Sequence, residues 1–127
     1  AHLDMFNEDR RAVASVYDER LAGLPLKLPV RQPKSKHVFH LYVIQLEQRE
    51  KLIEYLNEWD IFPGIHYLKA AHQHPAFVNF VKNDTNLSVT EAVVPKILSL
   101  PMYPELGIAR ASQVADAIEA FFIDNKT

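Results

Sequence analysis

The chain has 127 residues, 48 % of them apolar and 24 % charged, which is the composition of one ordinary globular domain covering residues 1–127. A formal charge of −2 argues against nucleic-acid binding, and no apolar run is long enough to span a membrane. The absence of cysteine excludes disulfides and cysteine-based zinc sites. We therefore expect a cytoplasmic domain that binds neither nucleic acid nor membrane.

The first predicted element is a long amphipathic helix that runs from Leu3 to about Leu24. Gly23 and Pro25 close the helix, and the proline-rich stretch 25–36 is typical of an extended linker. The apolar positions at helical spacing are Leu3, Phe6, Val13, Val16, Tyr17, Leu21 and Leu24. Because this pattern starts at once and the chain does not begin with Met, we expect the chain to be part of a longer protein.

A strand is predicted from His37 to Leu46, where aromatic and β-branched residues are apolar on both faces. Such a strand is typical of the centre of a sheet covered on both sides. His40 lies within this apolar run, and the pattern favours a core histidine whose ring nitrogens are hydrogen-bonded.

The next predicted helix runs from Glu47 to Trp59. Its apolar stripe includes Leu52 and Trp59, and Glu47 and Lys51 have the spacing of a favourable i,i+4 ion pair. We expect Asp60 to end the helix in a left-handed conformation.

Shorter elements are predicted for the second half of the chain, and their order indicates an α+β fold in which helices cover a small sheet of about three strands. The strands are 61–67 and 97–100, in addition to 37–46. Pro75 begins a short helix through Phe77, Val78 and Val81, a loop covers 83–86, and Ser88 to Glu91 have capping-box spacing ahead of another short helix. The last helix begins near Ile108.

The stretch from Gly64 to Phe77 holds three of the six histidines and is the candidate binding segment. His66, His72 and His74 follow a spacing that is not a known metal-ligand set, and no acidic residue or cysteine close by in the sequence completes one. The residues therefore favour a polar organic ligand over a metal. Surface histidines without any ligand remain an open alternative.

Local sequence patterns also predict where the other side chains near the histidines lie. Alternation along a strand predicts that His66 and Tyr67 lie on opposite faces. Lys69 is predicted to be a solvated loop lysine, and Trp59 and Phe77 are predicted to lie in the core. Because no phosphate-binding glycine loop, nucleophile set or carboxylate pair is present, these residues alone indicate a binding or half-site domain.

Six blocks, in this order and spacing, carry a resemblance that extends over nearly the whole chain. They are Val38–Ile44, the helix from Arg49 to Trp59, Pro63–Tyr67, Ala71–Phe77, Thr90–Glu91 and Ile97–Leu106. Together they resemble the C-terminal small domain of the DegT/DnrJ/StrS family, the pyridoxal-phosphate-dependent nucleotide-sugar aminotransferases of fold type I. The resemblance implies a small antiparallel sheet covered by helices, and a large cofactor-binding domain that is absent from residues 1–127.

The same resemblance implies an activity that the isolated chain would not have. In the family, the large domain carries the lysine that holds pyridoxal phosphate, and none of the eight lysines here lies in that motif. The full-length enzyme is expected to be a homodimer that transfers an amino group from glutamate to a nucleotide-linked keto-sugar. The alternative is a non-catalytic binding or regulatory module.

The resemblance also assigns candidate substrate-binding residues, and no catalytic or metal-binding residue, to this chain. His66, Tyr67 and His72 are the main candidates, with Lys69 and His74 as weaker ones. Their imidazole and phenol groups suit sugar hydroxyls and diphosphate oxygens. The sequence 68–71 departs from the commoner proline-containing version in the family, so the sugar preference stays open.

Overall fold

The computed structural model describes residues 2–80 and 86–125 and confirms the α+β class. The helices are α1 (Leu3–Arg20), α2 (Arg49–Glu58), α3 (Ser88–Val93) and α4 (Gly107–Asp124), and the strands are β1 (Tyr42–Gln45) and β2 (Ile97–Leu100). Short 3₁₀ turns lie at Ala71–Gln73, Val78–Phe80, Val94–Lys96 and Pro104–Leu106. In the described part of the chain no helix combines the length and hydrophobicity of a membrane span.

The sheet is antiparallel, with Tyr42 opposite Leu100 and Ile44 opposite Leu98. It contains two strands and not the predicted three, because the segment 61–67 is joined to β2 only through a bridge between Gly64 and Ser99. On the other edge, Lys27 makes a similar single bridge to Gln45 of β1. The proline-rich linker and the histidine-rich segment therefore flank the sheet on opposite edges.

Strand β1 is shorter than the predicted 37–46 because the backbone turns at Phe39. This residue has a φ of 49°, in the left-handed region that ends an extended strand. The turn buries the Phe39 ring, 5.9 Å from the ring of Tyr42, and leaves His40 exposed. The prediction of a core histidine at position 40 is therefore wrong.

The core lies between one face of the sheet and the packed pair α1 and α4. Alanines at positions 14, 111, 115 and 117 are fully buried, and such small side chains let helix backbones approach closely. Other fully buried side chains are Tyr17, Leu21, Tyr42, Ile44, Leu52, Leu56, Leu98 and Ile118. The amphipathic patterns of α1, α2 and α4 therefore predicted most of the core correctly.

Two buried tyrosines connect α1 to the sheet. The Tyr17 hydroxyl donates to the Pro101 carbonyl at 2.9 Å, and the Tyr42 hydroxyl donates to the Asp18 carboxylate. Their ring centroids are 5.0 Å apart. Arg31 of the linker bonds the second oxygen of Asp18 and lies 4.7 Å over the Phe39 ring. The linker is thereby held against α1 and β1.

One helix end agrees with the predictions, and two are shifted by a few residues. Asp60 has a φ of 56°, so the predicted left-handed helix end is confirmed. Helix α1 ends at Arg20, four residues early, and α2 begins at Arg49, two residues late. Glu47 bonds Lys96 at 2.6 Å in place of its predicted partner Lys51.

The capping box at Ser88 is not formed. Leu87 occupies the cap position of α3, and the side chain of Asn86 accepts a hydrogen bond from the Ser88 amide at 3.0 Å. The predicted end of the preceding helix at Val81 and the loop positions 83–85 lie outside the described residues, and Asn86 has no regular structure.

Two aromatic side chains that were predicted to be in the core are exposed. Trp59 is 51 % exposed and Phe77 is 53 % exposed. An aromatic residue at an apolar helical position is usually buried, but burial requires a neighbouring element to cover it. Within residues 2–80 and 86–125, no such element covers these two rings.

We expect the free energy of unfolding to fall as the pH rises above about 10, the usual tyrosine pKa. Burial raises the pKa of both Tyr17 and Tyr42 well above that value, and the hydrogen bond to Asp18 adds to the increase for Tyr42. The unfolded chain then loses tyrosine protons that the folded chain keeps, so stability falls by up to about 1.4 kcal/mol per pH unit for each group.

Chemical denaturation between pH 8 and 12 checks this, since Tyr17→Phe and Tyr42→Phe should each make the decline less steep. Phe39→Leu disturbs the same cluster without removing an ionisable group, and should lower the curve equally at every pH. If the curves of both tyrosine variants ran parallel to that of the unmodified chain, the prediction would be wrong.

Candidate functional site

The candidate segment is anchored to the sheet at its first residue. The Gly64 amide donates to the Ser99 carbonyl at 2.9 Å, and the Ser99 amide donates to the Gly64 carbonyl at 2.8 Å. These two backbone hydrogen bonds place the residues after Gly64 beside the outer edge of β2. They also limit where the His66 ring can lie, since only Ile65 separates His66 from Gly64.

The His66 ring lies against Gly64 and bonds Ser99. A β-carbon added to Gly64 would be 2.8 Å from Cε1 of His66, so only glycine leaves space for the ring in this position. The Nδ1 atom of His66 lies 3.0 Å from Oγ of Ser99, whose residue is only 4 % exposed. One edge of the imidazole is therefore fixed, and its Nε2 atom has no hydrogen-bond partner among the described residues.

Tyr67 lies beside His66 and is 75 % exposed. The peptide bond between the two residues is cis, and their rings meet edge to face with centroids 5.7 Å apart. The prediction that they lie on opposite faces is wrong, because it assumed a regular strand from 61 to 67 that the structure does not contain. The two polar groups can therefore contact one ligand.

A second contact holds the segment at His72. Its Nε2 atom lies 3.0 Å from a carboxylate oxygen of Glu91 in α3, and its side chain is only 16 % exposed. His74 accepts a local hydrogen bond on Nδ1 from the Ala76 amide at 3.3 Å. Lys69 is exposed, as predicted, and makes no ion pair with the residues that the structure describes. The segment thus has two anchors with an exposed stretch between them.

The five candidate residues are not brought together into one cluster. His66 and Tyr67 are adjacent, whereas His72 bonds a different element and His74 turns back onto its own segment. Across residues 2–80 and 86–125 no group of three His, Cys, Asp or Glu side chains has the proximity needed to hold a metal ion.

Sequence reasoning missed two residues of this site. Glu91 was interpreted as part of a capping box, because pairing across nineteen positions has no local signature. For Ser99, the resemblance implies only a structural role in the strand and turn beside the site, although its hydroxyl lies between two buried leucines, Leu98 and Leu100. A polar residue in an apolar strand was the available signal, since a buried hydroxyl requires a partner.

The described residues do not offer a place for a cofactor that is bonded to lysine. A reactive lysine must be neutral near pH 7, which requires burial or a neighbouring cation. The six lysines in residues 2–80 and 86–125 are exposed or half-buried: Lys27, Lys34, Lys36, Lys51, Lys69 and Lys96. What the arrangement offers chemically is hydrogen bonding from an imidazole and a phenol.

A groove of about 670 Å³ lies elsewhere, between the end of α2 and the start of α4. Trp59, Phe62 and Tyr103 line it together with Arg110, and it contains no residue of the candidate segment. It does not contribute to the site described above.

Comparison with known proteins gave a match to the sequence model of the DegT/DnrJ/EryC1/StrS aminotransferase family over residues 1–119. A UDP-N-acetyl-3-dehydro-α-D-glucosamine 3-aminotransferase of Acidithiobacillus ferrooxidans is 36 % identical over 117 residues, covering 92 % of this chain and 31 % of the relative. A dTDP-3-amino-3,4,6-trideoxy-α-D-glucose transaminase of Streptomyces venezuelae is 36 % identical over 119 residues, covering 93 % and 31 %. The chain therefore spans about a third of the length of these relatives.

Solved structures show the same fold. The crystal structure of S. venezuelae DesV, in complex with a ketimine intermediate, has a TM-score of 0.90 and 35 % identity over 95 % of this chain and 33 % of DesV. A DegT/DnrJ/EryC1/StrS aminotransferase from Brucella abortus has a TM-score of 0.88 and 30 % identity, covering 95 % of this chain and 32 % of its own.

We expect Gly64→Ala to displace the His66 ring without unfolding the domain. The added methyl group would be 2.8 Å from Cε1, and a side-chain ring can rotate away from it, which breaks the bond to Ser99. The free energy of unfolding should change by less than about 2 kcal/mol. A crystal structure of the variant, together with thermal denaturation, checks both parts.

Gly23→Ala is the matched control for this substitution. Its added β-carbon meets no atom within 4 Å, but its φ of +83° is costly for alanine. It should lower stability by about 1 kcal/mol and leave His66 in place. A Gly64→Ala structure with His66 still bonded to Ser99 would contradict the expectation.

Proposed function

This chain belongs to the DegT/DnrJ/EryC1/StrS aminotransferase family, and we propose that it forms the C-terminal small domain of a sugar aminotransferase. The proposed enzyme transfers an amino group from glutamate to a keto-sugar linked to a nucleoside diphosphate. The two transaminases named above support this substrate class, since both of their names describe sugars carried on UDP or dTDP. The coverage of about a third of their length supports a second, larger domain.

The observation that carries the proposal is the adjacent pair His66 and Tyr67, which presents polar groups from a segment anchored on either side of the pair, at Gly64 and at His72. An imidazole and a phenol can bond sugar hydroxyls and diphosphate oxygens. Because the backbone of the segment is held by Ser99 and Glu91, the ligand does not have to order it on binding. In this proposal, His66 and Tyr67 bind and orient the keto-sugar.

The remaining candidates have smaller roles in the proposal. His72 bonds Glu91 and thereby holds the end of the segment, so that it acts on the substrate indirectly. Lys69 is exposed two residues after Tyr67 and supplies a positive charge toward the diphosphate. His74 lies beyond the second anchor and is the weakest of the five.

Pyridoxal phosphate, when bound, supplies the electron sink for amino transfer. Among residues 2–80 and 86–125 no lysine has the burial that such a site needs, so we assign the binding of the cofactor to the proposed larger domain. The part played by this chain is then to position the sugar and to cover one side of the active site.

Exposed apolar side chains support an enzyme larger than this domain. Five of those that are more than half exposed lie in or near the candidate segment: Tyr67, Leu68, Phe77, Phe80 and Val89. A run of exposed large apolar residues is typical of a surface that contacts another protein element. We propose that the larger domain and a second subunit of a homodimer cover them.

The first test is the intact mass of the protein that the natural host makes. A mass near three times 14.6 kDa, with the visible absorbance of bound pyridoxal phosphate, is expected, since the relatives are about three times as long as the matched region. A product close to 14.6 kDa without cofactor would favour the alternative, a binding or regulatory module without chemistry.

In the intact enzyme, we expect Tyr67→Phe to raise the KM for the nucleotide-linked keto-sugar about tenfold and to leave kcat within twofold. Loss of one hydrogen bond to a charged oxygen has this magnitude, and loss of uniform binding changes KM alone. The cofactor absorbance should not change.

Tyr103→Phe removes a hydroxyl from another partly exposed tyrosine outside the segment and is the matched control. It should leave both constants unchanged. Loss of cofactor from the Tyr67 variant, or an equal effect of both substitutions, would overturn the substrate-side assignment.

A further inference from the structure

Ser99 is the single buried polar residue among residues 2–80 and 86–125. It lies in β2 between Leu98 and Leu100, both of which pack in the core. Burying a hydroxyl without a hydrogen bond costs about 1–3 kcal/mol. Apolar β-branched residues are the usual choice at a buried strand position. A serine at this position therefore requires an explanation.

Among the described residues, the hydrogen-bond partner of the Ser99 hydroxyl is Nδ1 of His66, at 3.0 Å. The Ser99 main chain is already used, because its amide and carbonyl both bond Gly64. The side chain and the main chain of Ser99 thus hold two residues of the same segment. Gly64 completes the arrangement, since any larger residue would displace the ring from Oγ.

The direction of this hydrogen bond follows from the burial of Ser99. If Nδ1 of His66 donated to Oγ, the hydroxyl proton would have no acceptor in the described structure and would be buried without a partner. If the hydroxyl donates to Nδ1, both atoms are satisfied. The neutral ring then carries its proton on Nε2, at the edge that faces away from Ser99.

We infer that Ser99 is a positioning residue that fixes His66 as a neutral imidazole with a donor at Nε2. In that form His66 can donate to an oxygen acceptor but cannot accept a hydrogen bond from a sugar hydroxyl. The matching group on the substrate is the keto oxygen or a diphosphate oxygen. This inference rests on the proposed function for the identity of the ligand, but not for the state of the ring.

The state of the ring can be measured without any activity. Long-range proton–nitrogen correlation spectra of the ¹⁵N-labelled 127-residue chain at pH 8, with His66→Gln for assignment, distinguish the two tautomers. We expect the proton of His66 on Nε2 and an Nδ1 resonance shifted by an accepted hydrogen bond. Ser99→Ala should move the Nδ1 resonance to that of a nitrogen without a partner.

Kinetics of the intact enzyme test the consequence for binding. Ser99→Ala should raise the KM for the keto-sugar about 5- to 20-fold and leave kcat within twofold. Ser99→Thr keeps the hydroxyl and should restore most of the loss, although it adds a methyl group to the strand. Ser15→Ala changes an exposed serine of α1 and should have no effect.

The outcomes separate this inference from the proposed function. A proton on Nδ1 in the unmodified chain, or an Nδ1 resonance that Ser99→Ala does not move, would overturn the role of Ser99. An equal loss in the threonine and alanine variants, with unchanged ring spectra in the threonine variant, would also overturn it. If the spectra agree but the intact enzyme does not use a nucleotide-linked keto-sugar, the positioning of His66 stands and the proposed substrate is wrong.

Discussion

The alternation of side chains along β2 is the constraint on which the rest of the structure depends. Leu98 and Leu100 point to the face that packs against α1 and α4, so Ser99 between them must point to the other face. The same four-residue strand therefore belongs to the core on one side and to the candidate site on the other. A shift of the β1–β2 register by one residue would exchange these faces and lose both.

The site inherits its rigidity from this sheet. Gly64 is joined to β2 by two backbone hydrogen bonds, and the His66 ring is held between Gly64 and the Ser99 hydroxyl. The second anchor, from His72 to Glu91, ties the segment to α3. Residues 66–69 between the anchors are exposed, so a ligand that binds them does not have to order a flexible loop first.

Two aromatic rings on the surface of this domain are not covered by any described element. Trp59 and Phe77 occur in patterns that predict burial, and both are exposed in the described structure. The family relatives are about three times as long as the region they share with this chain, so their remaining sequence provides elements that could cover such rings. In the function proposed above, the pair His66 and Tyr67 is one part of an active site that the larger domain completes.

Local periodicity determined the parts of the fold that depend on neighbouring residues in sequence. Helices α1, α2 and α4, strand β2 and the left-handed Asp60 were predictable because amphipathic spacing and helix-end geometry are encoded within a few positions. The candidate segment was also found from composition, through its histidines. Its family resemblance was carried by residues distributed over six short blocks.

Tertiary structure alone decided the contacts that join distant positions. Phe39, where the predicted strand is cut short, contacts Arg31 and Tyr42. The pairs His66–Ser99 and His72–Glu91 span 33 and 19 positions. No periodic pattern encodes such pairs, because each depends on the path of the backbone between its members. The sequence by itself indicated which residues are candidates for binding a polar ligand, and the packing of β2 decided that His66 is the one held against the sheet.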